Sequence, residues 1–189
     1  MKNDKKEIRV IGIDDSPFDK FRDKEVLIVG VVMRGGLFVD GILSAKVKVD
    51  SNDATDRIIK MINNCKFRPQ LQCIFLNGIA VAGFNVIDIK RLNQKTKIPV
   101  VVVIRNNPNI EKIKNTLIKI KQNNKIKLIE KAGNVIQIDN IFVQLTGINL
   151  EKAKEILEVV CTRSLIPEPL RLAHIIAAGI ITGESKGRA

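Results

Sequence analysis

The run Pro99-Val-Val-Val-Val-Ile104 offers no polar position. Alternate side chains of a strand point to opposite faces, so a run that is apolar throughout needs cover on both. Such a strand belongs in the middle of a sheet, in a parallel pairing, with helices above and below. Leu71-Gln-Cys-Ile-Phe-Leu76 reads as a second strand of this kind. A helical stretch around Val86 to Gln94 lies between the two, as the crossover of a parallel pair requires. The first fifty residues follow another rule. Val10 to Ile13, Glu25 to Val32 and Leu37 to Val49 succeed one another across short connections, the second being the turn Arg34-Gly35-Gly36. Short links between successive strands make an antiparallel meander.

The remaining elements are read from their caps and breakers. Asp50-Ser-Asn-Asp53 opens a helix over Ala54 to Cys65, and Asn109 to Gln122 is an amphipathic, lysine-studded helix. Gly133-Asn134 and Asp139-Asn140 divide Ile126 to Leu145 into short strands of a hairpin insertion. Asn149 caps a helix over Leu150 to Thr162, and Pro167-Glu-Pro169 starts a last helix that ends near Thr182. Three strands, then helices and strands in alternation, is the order of an α/β ribonuclease-H-like mixed sheet, its first three strands antiparallel and helices flanking it. At 189 residues the expectation is one domain over residues 1–189.

Charge and cysteines narrow the setting. There are 32 basic and 20 acidic residues, a net charge of +12. Lysine and arginine in excess release counterions from a polyanion such as DNA or RNA, although a Lys-, Asn- and Ile-rich composition also gives a merely solvated basic surface. There is no Trp and no Tyr, so base stacking would fall to phenylalanine. Cys65, Cys73 and Cys161 lack the pairwise spacing of a zinc site and suit a reducing compartment. No apolar stretch approaches the ~20 residues of a membrane helix. The expected location is the cytoplasm.

Chemistry is expected where that topology gathers strand ends. The first strand ends on Asp14-Asp15 before Ser16-Pro17, and alternation sends the two side chains to opposite faces. Asp53 and Asp56 stand at the start of the first helix, Asn77 at the end of Leu71–Leu76, Arg105 just past Ile104, and His174, the only histidine, on the last helix. Each has a plainer reading: helix cap and first-turn acid for Asp53 and Asp56, strand-exit turn for Asn77-Gly78, loop residue for Arg105, packed residue for His174. Their convergence in one topology favours a site.

These residues resemble a known family. Gly12-Ile-Asp-Asp-Ser-Pro-Phe18, Leu76 to Ile89, Ile98 to Arg105, Pro167-Glu-Pro-Leu-Arg-Leu-Ala-His174 and the tail Gly183 to Ala189 are similar to the archaeal endonuclease dU family (domain of unknown function 99), a relative of endonuclease V. The resemblance implies a metal-dependent endonuclease acting on deaminated bases in DNA, uracil or also hypoxanthine, in DNA repair. It implies Mg2+ or Mn2+ held by Asp14, by Asp53 or Asp56, and by Asn77, with Arg105 and His174 catalytic. Contacts to nucleic acid would come from Gly78, Gly83, Phe84, Arg171, Lys186 and Arg188. Two departures stand out: Asn77 occupies the place of a second metal-binding aspartate, and no tyrosine is present to fill the gap beside a captured base. Two other readings stay open, a nucleic-acid-binding module of the same fold with weak or no catalysis, and a nuclease directed at RNA.

Overall fold

A computed structural model describes residues 7–185. Its main sheet is built from β1 (Arg9–Asp15), β2 (Glu25–Arg34), β3 (Phe38–Lys48), β4 (Cys73–Asn77) and β7 (Val100–Ile104), with β8 (Ile136–Ile138) and β9 (Ile141–Thr146) at one edge. A separate ribbon of β5 (Ala80–Val81) and β6 (Asn85–Val86) follows β4. The helices are α1 (Ala54–Asn63), α2 (Ile89–Thr96), α3 (Ile110–Lys119), α4 (Ile126–Lys131), α5 (Leu150–Val160) and α6 (Glu168–Thr182).

The strand order is β3-β2-β1-β4-β7-β9-β8. β1, β2 and β3 form the antiparallel meander, while β1, β4 and β7 run parallel. The valine run of β7 is parallel to β4 on one side only, and β9 pairs with it antiparallel on the other. Burial on both faces, not pairing direction, is what its composition encodes.

Alternation sorts the core into two layers. Ile11, Ile13, Ile74, Leu76, Val100 and Val102 face α1 and α2, packing on Ile58, Ile62, Ile89 and Leu92. Val10, Cys73, Phe75, Val101 and Val103 face the opposite side, where α5 and α6 cover them through Ile156, Leu157 and Leu170. Val29, Val31 and Met33 of β2 complete that side against Ala173 and Ala177 of α6. A smaller cluster of Val86, Leu117 and Ile129 ties the ribbon to α3 and α4.

The segment after Gln122 corrects the sequence reading. Residues 126–131 are helical, not a strand, and only Ile136 onward pairs. Ile129 is buried and Ile126 and Leu128 pack around it, a helical spacing that six residues are too short to reveal. The β8–β9 turn does fall at Asp139-Asn140. Among the described residues no helix is long and apolar enough to cross a membrane.

Candidate active site

Because β1, β4 and β7 are parallel, Asp14, Asn77 and Arg105 lie at one edge of the sheet, at the strands' C-terminal ends. α6 is docked against that edge by Gly12, where a Cβ would run into the backbone of Pro169 and Leu170. From Gly12 to Asp14 the strand rises about 6.6 Å, and from Leu170 to His174 the helix rises about 6 Å. A helix laid along β1 with Leu170 over Gly12 therefore brings His174 over Asp14. His174 Nδ1 lies 2.9 Å from Asp14 Oδ2. The sequence arranges this contact by placing glycine two residues before the aspartate and the Pro-Glu-Pro start just before Leu170.

Asp14 is 3% exposed, and three donors reach its carboxylate. Oδ2 also accepts from Asn77 Nδ2 at 3.0 Å, and Oδ1 accepts from the Asp15 amide at 3.0 Å. Burial pushes the carboxyl up to about 6, further raised by the neighbouring Asp15 charge and held back by the Asn77 amide and by His174. When Asp14 is ionised it only accepts, so His174 carries its proton on Nδ1 and Nε2 is the free ring nitrogen.

Asp15 leaves β1 on the other face, as alternation requires, and accepts from the Ala82 amide at 2.7 Å. At the strand's end the two carboxyls nonetheless stay within reach of one another, and burial raises Asp15 too. Alternation alone does not say which of the two carboxylates faces the site. Asp15 ties the Asp14 edge of the sheet to the loop 78–84, where Ala82 adopts the left-handed region at φ 48°. That loop is pinned from the far side as well. Asp50 Oδ1 accepts from the Phe84 amide, its amide donates to the Ala82 carbonyl, and the buried Lys125 donates to the carbonyls of Asp50 and Phe84 at 2.8 and 2.6 Å. Nothing local in the sequence marks Asp50 or Lys125 for this role, since their partners come together only in the fold.

The other candidates separate. Asp53 and Asp56 do not join Asp14. Asp53 accepts from the Lys48 amide and from Asn85 Nδ2, while Asp56 pairs with Arg91 of α2 at 2.6 Å. The free Ala54 amide at the start of α1 is taken by Asn85 Oδ1, so the cap comes from the ribbon and not from Asp53. Arg105 is exposed at the Asp14 edge of the sheet. Gly78 has φ 81° with open space around it, whereas Gly83 has φ 83° and is backed by the Asp50 carboxylate. Phe84 is half-buried beside α3 and α4 with Lys20 over its ring, so it is not free to enter a duplex. Arg171 is held by Glu168 at 2.7 Å. Lys186 and Arg188 lie outside the described residues.

The donor set sets limits on a metal. Among the described residues no three His, Cys, Asp or Glu side chains are placed to hold one ion. A buried carboxylate beside an amide is an all-oxygen, hard donor pair. It fits Mg2+, which keeps several waters and is often bound by one or two carboxylates plus substrate phosphate. It does not form a complete cage.

The whole arrangement has relatives. The endonuclease dU family model matches residues 6–181. The UPF0215 protein of Methanothermobacter thermautotrophicus is 45% identical over 98% of this chain and 93% of its own. The crystal structure of a protein of unknown function from Archaeoglobus fulgidus superposes with a TM-score of 0.86 at 39% identity, covering 92% of this chain and 98% of that one. Ciona intestinalis endonuclease V, in complex with a 24mer DNA containing an inosine followed by a ribo-adenosine, gives a TM-score of 0.55 at 20% identity over 87% of this chain and 82% of that one. That more distant likeness establishes the endonuclease V-type, ribonuclease-H-like fold. Matched along nearly its whole length, the chain belongs to the endonuclease dU family.

Proposed function

We propose that the protein is a metal-dependent endonuclease that hydrolyses a phosphodiester next to a deaminated base in DNA, uracil or hypoxanthine. One observation carries this reading: a buried carboxylate, Asp14, is bonded to both His174 and Asn77 at the exit of three parallel strands. A carboxylate without a strong cationic partner in such a place costs stability, which marks it as retained for chemistry.

Asp14 and the Asn77 side-chain oxygen would hold Mg2+, which when bound supplies Lewis acidity and neutralises charge on the phosphate oxygens. Asp14 keeps the His174 proton on Nδ1, so that Nε2 takes the proton of the attacking water. Water oxygen bonds to phosphorus, the bond from phosphorus to the leaving oxygen breaks, and that oxygen takes a proton from solvent and is released as an alcohol. Arg105, planar and permanently charged, braces the phosphate. Extruding the target base costs a few kcal/mol, least when it is mispaired. The open backbone at Gly78 and the pinned loop to Phe84 would line the receiving pocket.

The test is a cleavage panel of oligonucleotides carrying uracil, hypoxanthine or no lesion, as DNA and as RNA, with Mg2+ or with chelator. Incision confined to lesion-bearing DNA in Mg2+ is the expected result. Binding of every strand with no incision would favour the non-catalytic module, for which the neutral Asn77 speaks, and faster cutting of RNA would redirect the substrate.

A further inference from the structure

Phe21 is the most exposed large apolar side chain among the described residues, at 94%. Isolated exposed apolar residues are common, but this one is presented by a built turn. Asp19 accepts from the Phe21 amide through Oδ1 at 2.8 Å, and its carbonyl accepts from the amides of Arg22 and Asp23. Asp23 closes the turn by accepting from the Asp19 amide at 2.8 Å. The ring is thus held out into solvent by four hydrogen bonds inside five residues, with Lys20, Arg22 and Lys24 beside it.

The turn is also attached to the catalytic edge. Phe18 packs into the core beside Gly83, and Lys20 reaches the Asp50 carboxylate at 3.2 Å and the Phe84 ring at 5.7 Å. Asp50 in turn holds the loop that Asp15 grips from inside. Two other rings near the surface carry cations, Phe38 under Arg34 at 4.7 Å and Phe84 under Lys20. Phe21 stands further into solvent than any other ring among the described residues.

We propose that Phe21 is a base-stacking residue, receiving the face of a nucleobase of the bound strand next to the target nucleotide while Arg22 and Lys24 meet the flanking phosphates. An exposed aromatic ring between cations is the arrangement that binds single-stranded nucleic acid without reading sequence. The assignment rests on the nucleic-acid reading above, yet it is independent of cleavage.

The chain has no tryptophan, so Phe21→Trp installs its sole indole. The experiment compares wild type, Phe21→Ala and Phe21→Trp for binding a fluorescein-labelled oligonucleotide with one uracil, single-stranded and duplex, by anisotropy in chelator. The three proteins should melt alike, because the ring buries nothing on folding. Phe21→Ala should bind roughly tenfold or more weakly, as loss of one base–aromatic stack implies, Phe21→Trp should bind like wild type, and its indole emission should be quenched by the oligonucleotide. Equal affinity of wild type and Phe21→Ala, or unquenched emission in a bound complex, overturns the assignment alone. No binding by wild type overturns it together with the nucleic-acid reading.

Discussion

Asp14→Asn should make the protein more stable at neutral pH, and the gain should vanish in acid. The Asp14 carboxyl, ordinarily near 3.8, is pushed up to about 6 chiefly by burial. A group with a raised folded-state value contributes nothing below its unfolded value, where both states are protonated. Between 3.8 and about 6 the unfolded chain releases the proton more readily than the folded one, so stability falls as pH rises, and above that it stays at the lower level. The interval corresponds to about 3 kcal/mol as a ceiling. Asparagine keeps the shape but turns one acceptor into a donor, costing about 1 kcal/mol against the Asp15 amide or His174. The net gain at pH 8 is therefore about 2 kcal/mol, or roughly 4–8 °C in melting temperature for a chain of this size. Urea unfolding of both proteins from pH 4 to 8, in chelator so that no cation compensates the charge, gives the difference directly. If wild type gains stability on Asp14→Asn as pH rises from 4 to 7, the carboxylate is stabilising and its burial has been misjudged.

Gly12→Ala drives a methyl group into the backbone of Pro169 and Leu170 and should cost about 3 kcal/mol in urea unfolding, with loss of incision because α6 carries His174. Asn77→Asp sets a second carboxylate against Asp14; Mn2+ should bind at least tenfold tighter by paramagnetic resonance titration, while the metal-free protein melts lower at pH 8 than wild type. Lys125→Met takes the ammonium from the carbonyls of Asp50 and Phe84, leaving them a long bond from Gln122 and the Val86 amide respectively. A loss of about 2 kcal/mol is expected, together with faster hydrogen exchange at the Phe84 amide, and unchanged exchange there would mean that Asp50 alone fixes the loop.

The layered core and the order of elements could be read in the sequence because each rests on local signals. The β7 valines cannot serve a one-sided strand, Asn149 does accept from the Lys152 amide, and α6 does begin at Pro167-Glu168. The meeting of Asp14, Asn77 and His174 followed from topology, since parallel strand ends and a helix along β1 leave little choice. What stayed hidden depends on partners far away in sequence. Asp53 looked like a cap, yet Asn85 from the ribbon caps α1 and donates to Asp53, which does not join Asp14. Strict alternation sends Asp14 and Asp15 to opposite faces, yet where a strand ends it does not hold the two carboxyls apart. Phe84 looked available as an apolar contact, but α3 and α4 enclose it, and nothing local distinguished it from Phe21.

The most direct measurement is single-turnover incision of a uracil-bearing duplex in Mg2+ by wild type and by Asp14→Asn, a variant expected to be at least as well folded. Wild type should cut, and Asp14→Asn should lose roughly a hundred- to a thousandfold in rate, the scale of removing an electrostatic anchor of the reaction. Equal cutting by the two proteins would place the chemistry elsewhere on the molecule.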